Sequence, residues 1–123
     1  MILTVSSVLL CIVGLYGSCT LYKGSKEWKR NTSIKAYHKD PVWEETLTFE
    51  DLNTSSSNPL NSFSLIFSLV ERNLIGHDKI LGQILLSDGS PQCSGVKHWV
   101  NVHEKPHIKH TSWHYLLDPD EFI

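Results

Sequence analysis

Residues 62–69 read Ser-Phe-Ser-Leu-Ile-Phe-Ser-Leu, and this stretch decides the fold class. From Phe63 to Leu69, every second side chain is large and apolar. A β-strand turns successive side chains to opposite faces, so this alternation predicts a strand with one face in a core. Ile66 lies on the other face, which predicts partial cover there as well.

Residues 42–49 (VWEETLTF) predict a second strand of the same kind. Its inner face carries three large apolar side chains, Trp43, Leu47 and Phe49. The same face carries the carboxylate of Glu45, which needs a polar partner if it lies at the edge of a core.

Further strands and one helix complete the prediction. The additional strands are residues 14–22, 32–37, 80–86 and 111–117, which are separated by turn residues and polar loops such as 51–61. A short amphipathic helix is predicted over 94–102, where apolar residues recur at intervals of three and four, and Pro106 limits its extension. Many short strands with one late helix indicate an all-β antiparallel sandwich, with the helix before the last strand.

The first 22 residues carry no charge and are strongly apolar, and three interpretations are open. About 20 apolar residues can span a bilayer, and the lysines that follow would then hold the body in the cytoplasm. A signal peptide is the second interpretation, although no positive charge precedes the apolar core. The third is buried strand, because small residues such as Gly14 and Gly17 interrupt a run rich in Val, Ile and Leu.

The composition describes one ordinary domain. The 123 residues are 41% hydrophobic and carry a net charge of −2, which suits a packed core and gives no general reason to bind nucleic acid. The three cysteines, Cys11, Cys19 and Cys93, form no CxxC pair and no complete disulfide framework. Free thiols in a reducing compartment are expected, and one disulfide with one free thiol in a secreted protein is the alternative.

Four motifs resemble those of one family. They are residues 40–49 (DPVWEETLTF), 81–82 (LG), 95–99 (GVKHW) and 113–116 (WHYL). An HW helix followed by a WHxL ending resembles the second C2 domain of the synaptotagmin group, over residues 14–117. The resemblance implies an eight-stranded antiparallel β-sandwich, complete or lacking a strand, with ligand-binding loops at one end. Residues 1–13 are then a first strand, an anchor or a signal, and residues 118–123 a tail.

The N-terminal part departs from that pattern. The resemblance implies more chain ahead of the strand at 14–22 than is present, so a first strand or first loop is expected to be missing or rewritten. An incomplete sheet would leave an open edge, which favours aggregation.

The calcium ligands are a second departure. In calcium-binding relatives, aspartates of the first and third loops hold the ions, and affinity follows the number of carboxylates. Here the first aspartate of the chain is Asp40, and Val70 and Arg72 occupy the usual third-loop positions, with Glu71 and Asp78 nearby. The sequence therefore predicts no calcium binding and no metal site.

The resemblance implies binding rather than catalysis. Basic residues near the strand that carries the polybasic patch of relatives are predicted to contact anionic phospholipid or acidic partners: Lys23, Lys26, Lys29, Arg30 and Lys35. The WHxL ending is predicted to dock a protein through Trp113, His114 and Leu116. The expected function is calcium-independent membrane or protein binding in vesicle trafficking or exocytosis. The module would be cytoplasmic and peripheral to the membrane, with trafficking or SNARE-type proteins as partners.

Enzyme chemistry finds no support in the sequence. There is no GxSxG motif and no glycine-rich phosphate loop, and the adjacent Glu44 and Glu45 point to opposite faces of a strand. Pro106 separates His103 from His107, so these histidines do not align as metal ligands. No catalytic residue and no cofactor are predicted.

Two alternatives remain open. The chain could be a small secreted or membrane-anchored binding domain that uses residues 1–22 as signal or anchor, with glycosylation at Asn31 or Asn53. It could also be a truncated variant without function, which poor solubility would indicate.

Overall fold

The computed structural model describes residues 2–5, 14–36, 42–49, 59–72 and 77–121. This part of the chain contains seven strands: β1 (Ile2–Val5), β2 (Gly14–Lys23), β3 (Lys26–Asn31), β4 (Lys35–Ala36), β5 (Glu45–Thr48), β6 (Ser64–Glu71) and β7 (Lys79–Leu86). It also contains one α-helix and two 3₁₀ turns: α1 (Cys93–Glu104), Leu60–Ser62 and Pro119–Glu121.

The described strands form two antiparallel sheets. The larger has the order β3-β2-β6-β7, and the two-residue β4 also pairs with the start of β2. The smaller consists of β1 and β5, with Ile2 opposite Thr48 and Val5 opposite Glu45. The described residues therefore give a mostly β, antiparallel protein with one short helix, consistent with a sandwich, and the predicted total of eight strands is not established by them.

Among the described residues, the larger of two buried clusters lies between the layers, and Leu15, Trp43 and Leu69 form the smaller one. Cys19, Leu21 and Leu65 cover the inner face of the larger sheet and are fully buried. Leu47 of β5 packs against them, and so does Phe49, which follows this strand. The cluster is completed by Trp99 of α1 together with Phe63, Ile84 and Leu86. Because burying a Leu or Phe side chain contributes roughly 1.5–3 kcal/mol, this cluster is the main source of stability.

The strongest strand predictions are confirmed. Strand β6 turns Leu65 and Leu69 into the core, and Ile66 on its other face is half-buried. Around β5, Trp43, Leu47 and Phe49 are buried on one side as predicted.

Strands β2 and β7 and the helix also lie where they were expected. Residues 14–22 fall within β2, which lies between β3 and β6. Strand β7 contains residues 80–86, and its pairing with β6 shifts register opposite Gly82. The helix predicted over 94–102 runs from Cys93 to Glu104.

The prediction for residues 111–117 is wrong. These residues form no strand, and their one pairing is an isolated antiparallel bridge between Leu117 and Gln83 of β7. Hydrogen bonds from Gln92 and His114 side chains hold the segment, in place of a backbone ladder. For residues 32–37, only Lys35–Ala36 pairs as a strand in the described part, and residue 37 lies outside it.

The sequence did not reveal β3. Its residues, KEWKRN, include a single apolar side chain, so no period-two pattern of apolar residues is visible. Pairing with β2 places Trp28 opposite Leu21, and Gly24 makes the connecting turn with φ 59°, a conformation that favours glycine.

The apolar N-terminal run is strand in its described residues, Ile2–Val5 and Gly14–Lys23. Within the described ranges, no helix has the length and apolar character needed to cross a bilayer.

Candidate functional site

The β2–β3 hairpin brings basic side chains together at its tip. Lys23 and Lys26 are directly opposite each other, on the two sides of the turn. Lys26 is exposed, whereas Lys23 is half-buried with its Nζ 5.1 Å from the centre of the Phe63 ring. Like charges opposite each other on a hairpin repel, so an anion between them would be favoured.

Arg30 belongs to the core-facing side of β3 and is occupied by protein contacts. Its guanidinium carbon lies 5.5 Å from the centre of the Phe49 ring. Its Nε donates to the carbonyl oxygen of Thr48 at 3.2 Å, and its Nη1 donates to the carbonyl of Lys29 at 2.8 Å. Arg30 therefore connects β3 to β5 and is poorly placed to bind a ligand.

Lys29 and Lys35 complete the predicted basic set but lie elsewhere. Lys29 pairs with Thr20 on the outer face of the sheet and is exposed. Lys35 lies in β4 and is half-buried. The structure therefore brings together Lys23 and Lys26, places Lys29 on the opposite face, and separates Lys35.

Glu45 was expected to need a polar partner, and the structure shows that this partner is Ser33. The hydroxyl and the backbone N–H of Ser33 both donate to the Glu45 carboxylate, and the indole Nε1 of Trp43 donates to the Ser33 carbonyl at 2.9 Å. The Ser33 hydroxyl, then its backbone N–H, and then the charge of Lys35 lower the pKa of Glu45. This network connects β5 to the segment between β3 and β4.

The sheet end at which the resemblance places the calcium-binding loops of relatives is formed by the starts of β2 and β7 and the end of β6. Val70 is buried within β6, opposite Tyr16, so it is not a loop residue. The Tyr16 hydroxyl donates to Asp78 at 2.8 Å, and burial, followed by this bond, raises the pKa of Tyr16. The backbone N–H of Arg72 donates to the carbonyl of Gly14 at 2.8 Å. In the described ranges, no three His, Cys, Asp or Glu side chains converge to hold a metal ion.

The three predicted docking residues do not form one surface. Trp113 is 91% exposed. Leu116 packs against the core and lies against Gly82, where an added Cβ would clash with it. His114 points towards α1, where its Nε2 lies 2.8 Å from Nδ1 of His98.

Ser94, His114 and His98 form a continuous hydrogen-bonded series. Nδ1 of His114 is 2.8 Å from the Ser94 hydroxyl, and the two imidazole rings lie nearly parallel with centres 5.0 Å apart. A serine beside a histidine is also the beginning of a catalytic triad, but a triad needs a carboxylate to stabilise the imidazolium. A neutral imidazole in that place supplies no negative charge, and the series connects α1 to the C-terminal part of the described chain.

Sequence reasoning did not identify Tyr115 and Gln92. Tyr115 is 92% exposed, and its alternation with Trp113 was the signal available in the sequence. Gln92 accepts from the Leu85 N–H at 3.1 Å and donates to the Tyr115 carbonyl at 2.9 Å, so it joins β7 to the C-terminal part. No local pattern marks that role.

The two described thiols differ in environment. Cys19 is fully buried, and burial raises the pKa of its thiol to about 12, so it is inert at neutral pH. Cys93 is exposed at the first turn of α1.

Comparison with known proteins gives a consistent result. The family model described as "C2 domain" matches residues 11–102. The chain is similar to synaptotagmin-3 of Homo sapiens, with 27% identity over 96 residues, which is 78% of this chain and 16% of that protein. It is similar to synaptotagmin-C of Diplobatis ommata at 27% over 90 residues, covering 73% of this chain and 16% of that protein. It is also similar to synaptotagmin 1 of Drosophila melanogaster at 26% over 105 residues, covering 82% of this chain and 20% of that protein. The match thus spans a fifth or less of the length of these relatives.

Proposed function

Since this chain belongs to the C2 domain family, we propose that it binds anionic phospholipid membranes without calcium, as a peripheral, cytoplasmic module of vesicle trafficking or exocytosis. The body of the module is proposed to span residues 14–117, with β1 paired onto it through β5. The observation that carries the proposal is the basic tip of the β2–β3 hairpin, where Lys23 and Lys26 are opposite each other.

Lipid phosphates would meet this tip favourably. Each basic side chain near an anionic leaflet contributes about 1 kcal/mol, and a phosphate would also relieve the repulsion between Lys23 and Lys26. Lys29, exposed on the other face of β3, adds to the positive field of the hairpin. Arg30 contributes its charge without direct contact, because Phe49 and Thr48 occupy its guanidinium.

Calcium independence is supported by the sheet end at β6 and β7. A Ca²⁺ ion takes six to eight oxygen ligands, several of them carboxylates. Val70 and Arg72 offer none at the positions that the resemblance assigns to aspartates, and Asp78 accepts a hydrogen bond from Tyr16. A positive side chain at Arg72 would further disfavour a cation.

The likeness to synaptotagmins extends the proposal to protein partners of the trafficking or SNARE type. No described contact distinguishes which one, so this partner class stays a prediction.

Co-sedimentation with vesicles tests the proposal. Wild-type protein is expected to bind vesicles of phosphatidylcholine and phosphatidylserine equally in calcium and in chelator, to bind less as salt rises, and to ignore vesicles of phosphatidylcholine alone. The double variant Lys26→Gln/Lys29→Gln should bind about tenfold to thirtyfold more weakly, since it removes one basic side chain at the tip and one that adds to the positive field of the hairpin, each contributing about 1 kcal/mol near an anionic leaflet.

The matched control removes the same charge elsewhere. Lys79 and Lys97 are also exposed, on β7 and α1, and Lys79→Gln/Lys97→Gln should bind nearly as the wild type does. If both double variants lost vesicle affinity equally, binding would depend on the total charge of the protein and not on the hairpin. Binding that requires calcium would contradict the proposed calcium independence.

A further inference from the structure

Two aromatic side chains project from the C-terminal segment, defined as residues 105–117. Trp113 is 91% exposed and Tyr115 is 92% exposed. Ile108 in the same segment is 59% exposed. Aromatic side chains of this size are usually at least half covered in folded proteins, so two neighbouring exposed rings are a feature that needs an explanation.

The rings are exposed although the backbone that carries them is well fixed. Leu117 exchanges two backbone hydrogen bonds with Gln83, of 2.8 and 2.9 Å. Gln92 donates to the Tyr115 carbonyl, and His114 is bonded to α1. With Leu116 anchored in the core, the alternate residues 113 and 115 are directed outwards. A backbone that is already fixed loses little conformational entropy when its side chains bind, which favours an interaction surface over a loose tail.

The charge of the segment has one sign. Residues 105–117 contain two lysines, Lys105 and Lys109, both exposed, and three histidines, but no aspartate or glutamate. The first carboxylate afterwards is Asp118, and the 3₁₀ turn that follows it lies against β7. Exposed aromatic rings with lysines and without carboxylates match the boundary of an anionic bilayer. There Trp and Tyr place their rings among acyl chains and their polar atoms among headgroups.

We propose that the C-terminal segment is a second membrane-contact surface, in which Trp113 and Tyr115 enter the headgroup–acyl boundary while Lys105 and Lys109 meet lipid phosphates. The inference rests on the membrane binding proposed above, but it uses no residue of the β2–β3 hairpin. Binding there would have an apolar component that persists in salt, unlike the purely electrostatic contact of the hairpin.

Tryptophan fluorescence tests this directly. Of the four tryptophans, Trp43 and Trp99 are fully buried and Trp28 is half-buried, so Trp113 is the indole most accessible to lipid. Wild-type protein mixed with phosphatidylcholine–phosphatidylserine vesicles should show a blue shift, and quenching when the acyl chains carry bromine. The Trp113→Phe variant should lose both signals while still binding.

A second measurement uses affinity. Trp113→Ser/Tyr115→Ser should weaken vesicle binding about tenfold, because the transferred apolar area is lost, and should remove the salt-resistant part of binding. Both side chains lie outside the core, so the unfolding midpoint should not change.

The outcomes separate this inference from the proposed function. If vesicles bind and binding depends on Lys26 and Lys29, but brominated lipid does not quench and the double serine variant binds normally, the C-terminal surface is not a membrane contact. The exposed rings of Trp113 and Tyr115 would then be interpreted as a binding surface for a protein. If no vesicle binds under any condition, both proposals fail together.

Discussion

His98 and His114 share one hydrogen bond between their rings, and this restricts their protonation. With 2.8 Å between Nδ1 of His98 and Nε2 of His114, the bond needs one proton and one lone pair. If the Ser94 hydroxyl donates to Nδ1 of His114, then Nε2 of His114 is the donor to His98. In that arrangement, a proton added to Nδ1 of His98 would place two N–H groups against each other and break the connection.

The pair predicts a loss of stability in acid. Burial is the largest cause that lowers the pKa of both rings, and each ring is further affected by a neighbouring histidine, His110 for His98 and His98 for His114. A folded-state pKa below the unfolded value of 6.5 means that the stabilisation is present above that pH and lost as pH falls. Urea unfolding should therefore show a decline in the free energy of unfolding between about pH 7 and about pH 5.

The variants isolate that effect from other titrating groups. His98→Gln/His114→Gln keeps polar side chains and should flatten the dependence, whereas His107→Gln, at an exposed histidine, should not. His103 lies 3.8 Å from Asp88. The other charged groups on the elements packed around the pair are exposed: Lys97, Glu104, Lys109 and Asp118. Stability that is constant over this range in the wild type, or an unchanged decline in the double variant, would show that the pair does not control it.

Some residue roles followed from the sequence and others could not. The need of Glu45 for a partner was visible because a carboxylate shared a face with Trp43 and Phe49, and Ser33 meets that need. The occupation of Arg30 by Phe49 was not visible. It requires two strands far apart in the chain to be adjacent, and no local pattern records that.

At the scale of elements, α1 is joined to β7 by close packing at Gly95. A Cβ at this position would overlap the carbonyl oxygen of Leu85 and lie 2.8 Å from the Ser90 hydroxyl. The helix can lie this close to the sheet only where a residue has no side chain. The fully buried Trp99, one turn further along α1, depends on the same approach.

Gly95→Ala should therefore destabilise the protein although alanine is the better helix former. The gain in helix propensity is about 1 kcal/mol, while forcing a methyl group into backbone costs about 1–3 kcal/mol or more. The control is Gly89→Ala, because a Cβ at Gly89 meets nothing within 4 Å and its φ is not positive. Urea midpoints should fall clearly for the first variant and little for the second, and a Gly95→Ala variant as stable as the wild type would disprove this packing.

Elements were predictable where one face is apolar and the other polar. Strand β5 and helix α1 meet that condition, and β6 was predictable from the strict alternation of its inner face although Ile66 and Val70 also cover its other face. Strand β3 does not, since it is an edge strand with charged residues on both faces and only Trp28 inside. The prediction for residues 111–117 failed for the opposite reason. The alternation of these residues resembles that of a strand, but side-chain hydrogen bonds hold the segment, and Trp113 and Tyr115 face outwards.

For the whole molecule, the ambiguous part was the N-terminal apolar run. A membrane span and a strand covered on both faces have the same composition, so residues 14–22 alone could not decide between them. The deciding fact is pairing, because β2 has β3 on one side and β6 on the other. That arrangement places residues 14–22 inside the larger sheet and makes β2 one arm of the hairpin that carries the basic tip.

Calcium should leave the stability of the whole molecule unchanged. An ion that binds the folded state stabilises it by about 2.7 kcal/mol at a hundredfold excess over Kd. For a domain of this size, that would raise the thermal midpoint by several degrees. Because Val70 is buried in β6, Arg72 is positive and Asp78 already accepts the Tyr16 hydroxyl, midpoints measured in calcium, in magnesium and in chelator should coincide. A rise that calcium produces and magnesium does not would mean that carboxylates assemble at this end of the sheet after all, and the membrane contact would have to be sought there instead of at the hairpin.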